Sequence, residues 1–189
     1  MLHVNPETGI VAGARQVPSP NCDERPSECR PELIIVHNIS LPPGEFGGPW
    51  INRFFTNRLD PDAHPYFQEI AQRKVSSHLL IQRTGTVVQY VPFDKRAWHA
   101  GESCFGERDC CNDFSIGIEL EGTDEVAYTD VQYDMLCTVI SALRDAYPSL
   151  VEAPIVGHSD VAPERKTDPG PAFDWDRLGR ELATRGAPV

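Results

Sequence analysis

The sequence predicts an α/β fold of the mixed α+β type, a single domain with a central mixed β-sheet flanked by helices. Its 189 residues suit one domain. Strand-like and helix-like segments alternate along the chain, which favours helices packed against a sheet. One pair of strand-like segments is joined only by Thr84-Gly85-Thr86, and this glycine turn predicts a hairpin within the sheet.

Apolar runs predict the strands. Residues 32–37 form a nearly continuous apolar run that ends in histidine, which is typical of a buried central strand. The hairpin joins residues 75–83 to residues 87–91, and residues 114–120 alternate in the manner of a further strand. Residues 154–158 form a short strand that, like the first, ends in histidine.

Helical periodicity is clearest over residues 130–147, where apolar residues recur every three or four positions. Thr129 or Asp130 can cap the start of this helix, and Pro148 ends it. Shorter helices are predicted over residues 50–57 and 174–183.

The first 30 residues are rich in proline, glycine and polar residues, and we interpret them as an N-terminal arm. Residues 31–185 then form the single main domain.

Charge and composition narrow the partners and the cellular environment. A net charge of -11 argues against a nucleic-acid or anionic-membrane surface, because either needs clustered basic residues. No leader or membrane-spanning run is evident, so we expect a cytoplasmic protein, by default a monomer. The six cysteines contain no C-x-x-C pair, and we interpret them as reduced thiols.

A candidate metal site lies at the ends of two predicted strands. His37 and His158 end these strands, and Asp168 follows the second histidine by ten residues. Two histidines and a carboxylate leave the fourth position of a tetrahedral zinc ion open for water, which is typical of catalytic zinc sites. Each histidine alone is more often structural than a ligand.

Two further residues fit a hydrolytic reaction. Glu119 lies near the end of a strand, where it could accept a proton from an attacking water. Lys166 lies two residues before Asp168 and could stabilise an oxyanion. The alternative is that Glu119 faces solvent from an edge strand, as we expect of Glu121, and that Lys166 is an exposed loop lysine.

Four segments in the same order resemble the AmpD family of N-acetylmuramoyl-L-alanine amidases. They cover most of the chain from about residue 32 to residue 175, and they are VHNISLPPGEFGGPW, RAWHAG, CNDFSIGIELEGT and GHSDVAPERKTDPGPAFDW. The resemblance implies the fold of peptidoglycan-recognition proteins and phage-type zinc amidases. It also implies one zinc ion and hydrolysis of the amide between a 1,6-anhydro-N-acetylmuramyl sugar and L-alanine, during cytoplasmic recycling of muropeptides.

Position by position, the resemblance assigns the same residues to the same roles. The zinc ligands fall on His37, His158 and Asp168, the proton acceptor on Glu119 and the transition-state stabiliser on Lys166. The main alternative is a non-catalytic muropeptide-sensing domain of the same fold. Such domains can lose a metal ligand, whereas this chain keeps all three.

Substrate contacts are less directly indicated. Asn38 and Trp98 could face the sugar and peptide, since tryptophan offers a flat apolar surface, although Trp98 could equally pack in the core. Arg165 and Lys74 are candidates for binding peptide carboxylates. His99 could line the pocket or brace its loop, and the sequence leaves both roles open.

Overall fold

The structure, a computed structural model, describes residues 2–186. Its strands are β1 (His3–Asn5), β2 (Ile10–Ala12), β3 (Arg15–Gln16), β4 (Cys22–Glu24), β5 (Leu33–Ile39), β6 (Leu79–Ile81), β7 (Val87–Gln89), β8 (Lys95–Ala97), β9 (Cys104–Phe105), β10 (Arg108–Asp109), β11 (Ser115–Glu121) and β12 (Ile155–Gly157). Its helices are α1 (Trp50–Phe55), α2 (Pro65–Ile70), α3 (Asp130–Ala146), α4 (His158–Val161) and α5 (Trp175–Gly186). Short 3-10 turns occupy Pro61–Ala63, Cys111–Asp113 and Pro148–Leu150.

Six strands form the central sheet in the order β12-β5-β11-β6-β7-β3. Strands β12, β5, β11 and β6 are mutually parallel, whereas β6 and β7 form the predicted antiparallel hairpin. Gly85 has a φ of +81° in the turn, a conformation that glycine adopts without strain. The predicted mixed sheet is therefore confirmed.

The parallel strands carry apolar residues on both faces because the sheet is covered on both sides. All seven residues of β11 are buried, and Leu33 to Val36 of β5 are at most 1% exposed. Helix α3 packs on one face and begins at Thr129 with a capping box that includes Gln132. Helices α1 and α2 bury Phe54, Phe55 and Phe67 in a second apolar cluster.

Several features differ from the sequence prediction. Helix α2 was not predicted, and His158 follows β12 as the first residue of α4 rather than ending the strand. Within the first 30 residues, β3 joins the central sheet beside β7, and Val4 and Val11 are buried in the main core. The boundary between arm and domain at residue 30 stays a prediction.

Among residues 2–186, no helix is long and apolar enough to cross a membrane.

Candidate active site

Two histidines and an aspartate meet at the carboxyl ends of neighbouring parallel strands. His37 lies in β5, and Gly157, the residue before His158, pairs with Val36 in the register of β12 and β5. His37 Nδ1, His158 Nδ1 and Asp168 Oδ2 lie 3.0–3.1 Å from one another. Within the described part of the chain, these three residues are the one group whose ligand atoms could hold a metal ion.

The spacing and chemistry of these atoms fit a zinc ion. A tetrahedral ion with ligands at about 2.0–2.1 Å separates its ligand atoms by roughly 3.3 Å, close to the spacing here. His158 Nε2 lies 3.0 Å from the Ala100 carbonyl, which can only accept a hydrogen bond. His158 Nε2 therefore donates, and its Nδ1 presents a lone pair to the cluster. A cation would satisfy this lone pair and the Asp168 carboxylate together.

Burial keeps His37 neutral. Its exposed fraction is 1%, and burial lowers its pKa to about 4, with the neighbouring His158 acting in the same direction. A neutral imidazole is the form that binds metal ions.

Glu119 lies beside His37 in the sheet and is the unsatisfied acid of the site. The two residues pair in the register of β11 and β5, and Glu119 is 8% exposed. Glu119 Oε2 is buried and has no hydrogen-bond partner among the described residues. Burial raises the pKa of Glu119 well above its ordinary value, the Asp168 carboxylate adds to this, and Lys166 opposes it. The geometry leaves Glu119 free to exchange a proton.

Glu121, two residues further along the same strand, shows what a structural glutamate looks like here. It is buried rather than solvent-facing, so the expectation for this residue was wrong. Its carboxylate accepts hydrogen bonds from the Gly47 and Arg83 backbone N–H groups, at 2.6 and 3.1 Å. Glu121 is thus committed to holding loops together, whereas Glu119 is not.

The metal cluster opens into a cavity of about 340 Å³, which we call the active-site cavity. It is lined by His37, Asn38, Ile39, Ser40, Leu41, Pro43, Phe54, Phe55, Tyr66, Ile70, Arg73, Val75, Ser76, Trp98, His99, Glu119, His158, Lys166 and Asp168. The structure thus brings together all three predicted ligands, Glu119 and Lys166.

The predicted substrate-binding residues divide into two pairs. Asn38 and Trp98 line the active-site cavity, although Asn38 Nδ2 donates to Asp124 Oδ1 and Trp98 Nε1 to Asp23 Oδ1. Lys74 and Arg165 do not line it. The Arg165 guanidinium instead donates to the backbone carbonyls of Ala100 and Glu102.

Sequence reasoning missed Arg73, which lines the cavity beside the side chains of α2. The only signal was its position next to Lys74, and adjacency alone does not tell which of two neighbouring cations faces a cavity. Tyr66 and Ile70 were missed because α2 itself was not predicted.

The chain is similar to proteins of known activity. A family model described as N-acetylmuramoyl-L-alanine amidase matches residues 27–171. The chain is 63% identical over 172 residues to the 1,6-anhydro-N-acetylmuramyl-L-alanine amidase AmpD of Escherichia coli strain K12, a match covering 91% of this chain and 93% of that protein.

Two solved structures are similar in fold. The crystal structure of a Se-Met AmpD derivative matches with a TM-score of 0.90 at 60% identity, over 95% of this chain and 98% of that one. AMPDH3 from Pseudomonas aeruginosa, in complex with anhydromuramic pentapeptide, matches with a TM-score of 0.55 at 28% identity, over 82% of this chain and 61% of that one.

Proposed function

The chain belongs to the N-acetylmuramoyl-L-alanine amidase family, and we propose that it hydrolyses the amide between 1,6-anhydro-N-acetylmuramic acid and L-alanine with one zinc ion. The AmpD proteins of Escherichia coli and Haemophilus influenzae are named for this activity, and each matches the chain over 93% of its own length. The enzyme class predicted from the sequence is confirmed, and these relatives do not support a non-catalytic sensing domain.

The observation that carries the zinc proposal is the triangle of His37, His158 and Asp168 beside the unpaired Glu119. Three ligands leave the fourth position of a tetrahedral ion open. Zinc supplies Lewis acidity and lowers the pKa of water at such a site. The remaining chemistry belongs to residues of the chain.

Glu119 is the proton carrier of the proposed reaction. Its Oε2 takes the proton that the attacking water releases as the water oxygen bonds to the amide carbon. The same carboxyl group then delivers that proton to the L-alanine nitrogen as the carbon–nitrogen bond breaks. The products are a sugar with a free lactyl carboxylate and a peptide with a free amino terminus.

Lys166 is the proposed oxyanion stabiliser. It lines the same cavity, and its positive charge is close enough to lower the pKa of both Glu119 and His37. An ammonium group there stabilises the negative charge that develops on the carbonyl oxygen during attack.

Other residues that line the cavity suit the substrate. Arg73 offers a guanidinium to a peptide carboxylate, and Trp98 offers a flat apolar surface to the sugar. Arg73 is therefore a better candidate than Lys74 or Arg165, which lie outside the cavity lining. Asn38 stays a predicted substrate contact.

We further propose that the enzyme works as a monomer in the cytoplasm on released muropeptides, without nucleic-acid or membrane partners. The net charge of -11 supports the last point, since both kinds of anionic surface would repel the protein.

Mass spectrometry of the reaction products tests the proposed bond. Anhydromuramyl pentapeptide should yield free pentapeptide and the anhydro sugar, while the matched Glu119→Gln variant should release them at least about 100-fold more slowly. Release of any other fragment would overturn the bond assignment. Equal rates on polymeric peptidoglycan would overturn only the preference for released muropeptides.

A further inference from the structure

His99 lies directly behind the proposed ligand His37. The two rings meet edge to face with centroids 5.1 Å apart, and His99 Nδ1 is 3.0 Å from His37 Nε2. Nε2 is the nitrogen of His37 that is not turned towards the metal cluster. His99 has no part in the proposed proton transfers, so this contact needs another explanation.

A chain of hydrogen bonds runs from His37 through His99 and Ser115 to the Cys111 carbonyl. Its last acceptor determines which nitrogen of each histidine carries the proton. The Cys111 carbonyl can only accept, so the Ser115 hydroxyl donates to it at 2.5 Å. With its single proton used, Ser115 Oγ accepts from His99 Nε2–H, 3.2 Å away. Neutral histidine carries one N–H, so His99 Nδ1 accepts from His37 Nε2–H. His37 Nδ1 is therefore left with a lone pair that faces the metal cluster.

Gly117 provides the space that this arrangement needs. A Cβ at Gly117 would lie 2.4 Å from His99 Cγ, which is closer than two non-bonded carbon atoms can approach. Gly117 does not have a positive φ, so room for the His99 ring, not backbone conformation, explains glycine at this position. Strand β11 thus supplies both Glu119 and the space for His99.

The Asn112 side chain holds the backbone at His99 in place. Asn112 Oδ1 accepts hydrogen bonds from both the His99 and the Ala100 backbone N–H groups, at 3.1 and 2.8 Å. The Ala100 carbonyl in turn accepts from His158 Nε2. Two consecutive residues therefore orient both histidine ligands, one through a side chain and the other through a carbonyl.

We propose that His99 is a positioning residue: it holds His37 in the tautomer and ring orientation that bind zinc. It does so through a relay of hydrogen bonds from His37 to His99, Ser115 and the Cys111 carbonyl. The inference rests on the proposed zinc site. Outer partners of this kind typically change metal affinity by about 10- to 100-fold when they are removed.

Zinc affinity of the metal-free protein, measured by competition with a chromophoric chelator, tests the relay. His99→Leu removes the acceptor for His37 and should weaken zinc binding by about 10- to 100-fold. His99→Asn can place a carbonyl oxygen near the position of Nδ1 and should recover most of that loss. Ser115→Ala, a small change at the far end of the relay, should lower affinity less than His99→Leu.

His78→Leu is the control for the loss of a neighbouring buried histidine. His78 accepts a hydrogen bond from the Gly117 N–H and donates one to the Lys95 carbonyl. Its ring packs edge to face on His99, with centroids 5.6 Å apart, but forms no hydrogen bond with His99 or His37. His78→Leu should lower the melting temperature of the metal-free protein while leaving zinc affinity unchanged. Equal zinc affinities for the wild type and His99→Leu would overturn the relay, as would equal weakening by His99→Leu and His78→Leu. If His99→Leu does not fold, a zinc affinity of Ser115→Ala equal to that of the wild type overturns it. A wild type that binds no zinc would overturn the proposed metal site itself.

Discussion

Two groups of residues that line the active-site cavity differ in how they are built: the metal ligands, which we call the metal end, and the residues of helix α2 with Arg73, which we call the peptide end. At the metal end, His37 and His158 are 1% and 3% exposed, and a hydrogen bond to a neighbouring segment orients each ring. At the peptide end, Arg73 is exposed and follows the short helix α2. We therefore expect the reaction to depend on the preorganised, buried cluster, and substrate preference to depend on exposed side chains that can change at little cost to the fold.

The largest expected effect comes from removing a ligand at the metal end. Asp168→Ala should abolish zinc binding and turnover together, because two histidines alone do not complete the cluster. Zinc content and product formation, measured on the same preparation, check this. Retained zinc with lost turnover would assign Asp168 to the chemistry instead of the metal.

Glu119→Gln should have the next largest effect. The amide keeps the shape of the side chain but cannot accept the proton, so kcat should fall by about 100- to 10,000-fold with zinc still bound. Glu121→Gln is a poor control because Glu121 holds two loops. The zinc content of the variant distinguishes a role in proton transfer from a role in metal binding. Loss of zinc would show that Glu119 supports the metal cluster.

At the peptide end, Arg73→Ala should raise KM about fivefold, equivalent to about 1 kcal/mol, because Arg73 is exposed and the proposed ion pair with a peptide carboxylate would be screened by solvent. Lys74→Ala is the matched control and should leave both KM and kcat unchanged. Steady-state kinetics on anhydromuramyl pentapeptide check both variants. A larger effect from Lys74→Ala would favour the residue that the sequence alone indicated.

The last prediction concerns acid stability rather than turnover. Burial, followed by the Arg25 charge, lowers the pKa of His78 to about 3 in the folded protein, against about 6.5 when unfolded. The unfolded chain therefore binds the extra proton between pH 6.5 and pH 3, and stability falls as pH falls through that range. His78→Asn should reduce the slope by about 1.4 kcal/mol per pH unit in urea unfolding of the metal-free protein. An unchanged slope would contradict a neutral His78.

The metal end was predictable because its residues follow from local pattern. His37 and His158 end apolar runs, and parallel strands bring such ends to one edge of a sheet. The capped helix α3 was predicted for the same reason, as its periodicity and caps lie within a single segment.

The peptide end was not predictable, because it depends on tertiary packing. Helix α2 has six residues, and it is held by burial of Phe67 and Ile70 in the second apolar cluster rather than by helical propensity. Which of Arg73 and Lys74 lines the cavity likewise depends on how segments far apart in sequence pack together. The same is true of the hydrogen bond between His99 and His37, the one part of the metal end that the sequence did not predict.

Zinc stoichiometry coupled to turnover tests the central claim most directly. Chelator-treated protein should be inactive towards anhydromuramyl pentapeptide, and activity should rise linearly with added zinc and level off at one zinc per chain. Full activity in the zinc-free protein, or a plateau at any other stoichiometry, would contradict a single metal site formed by His37, His158 and Asp168.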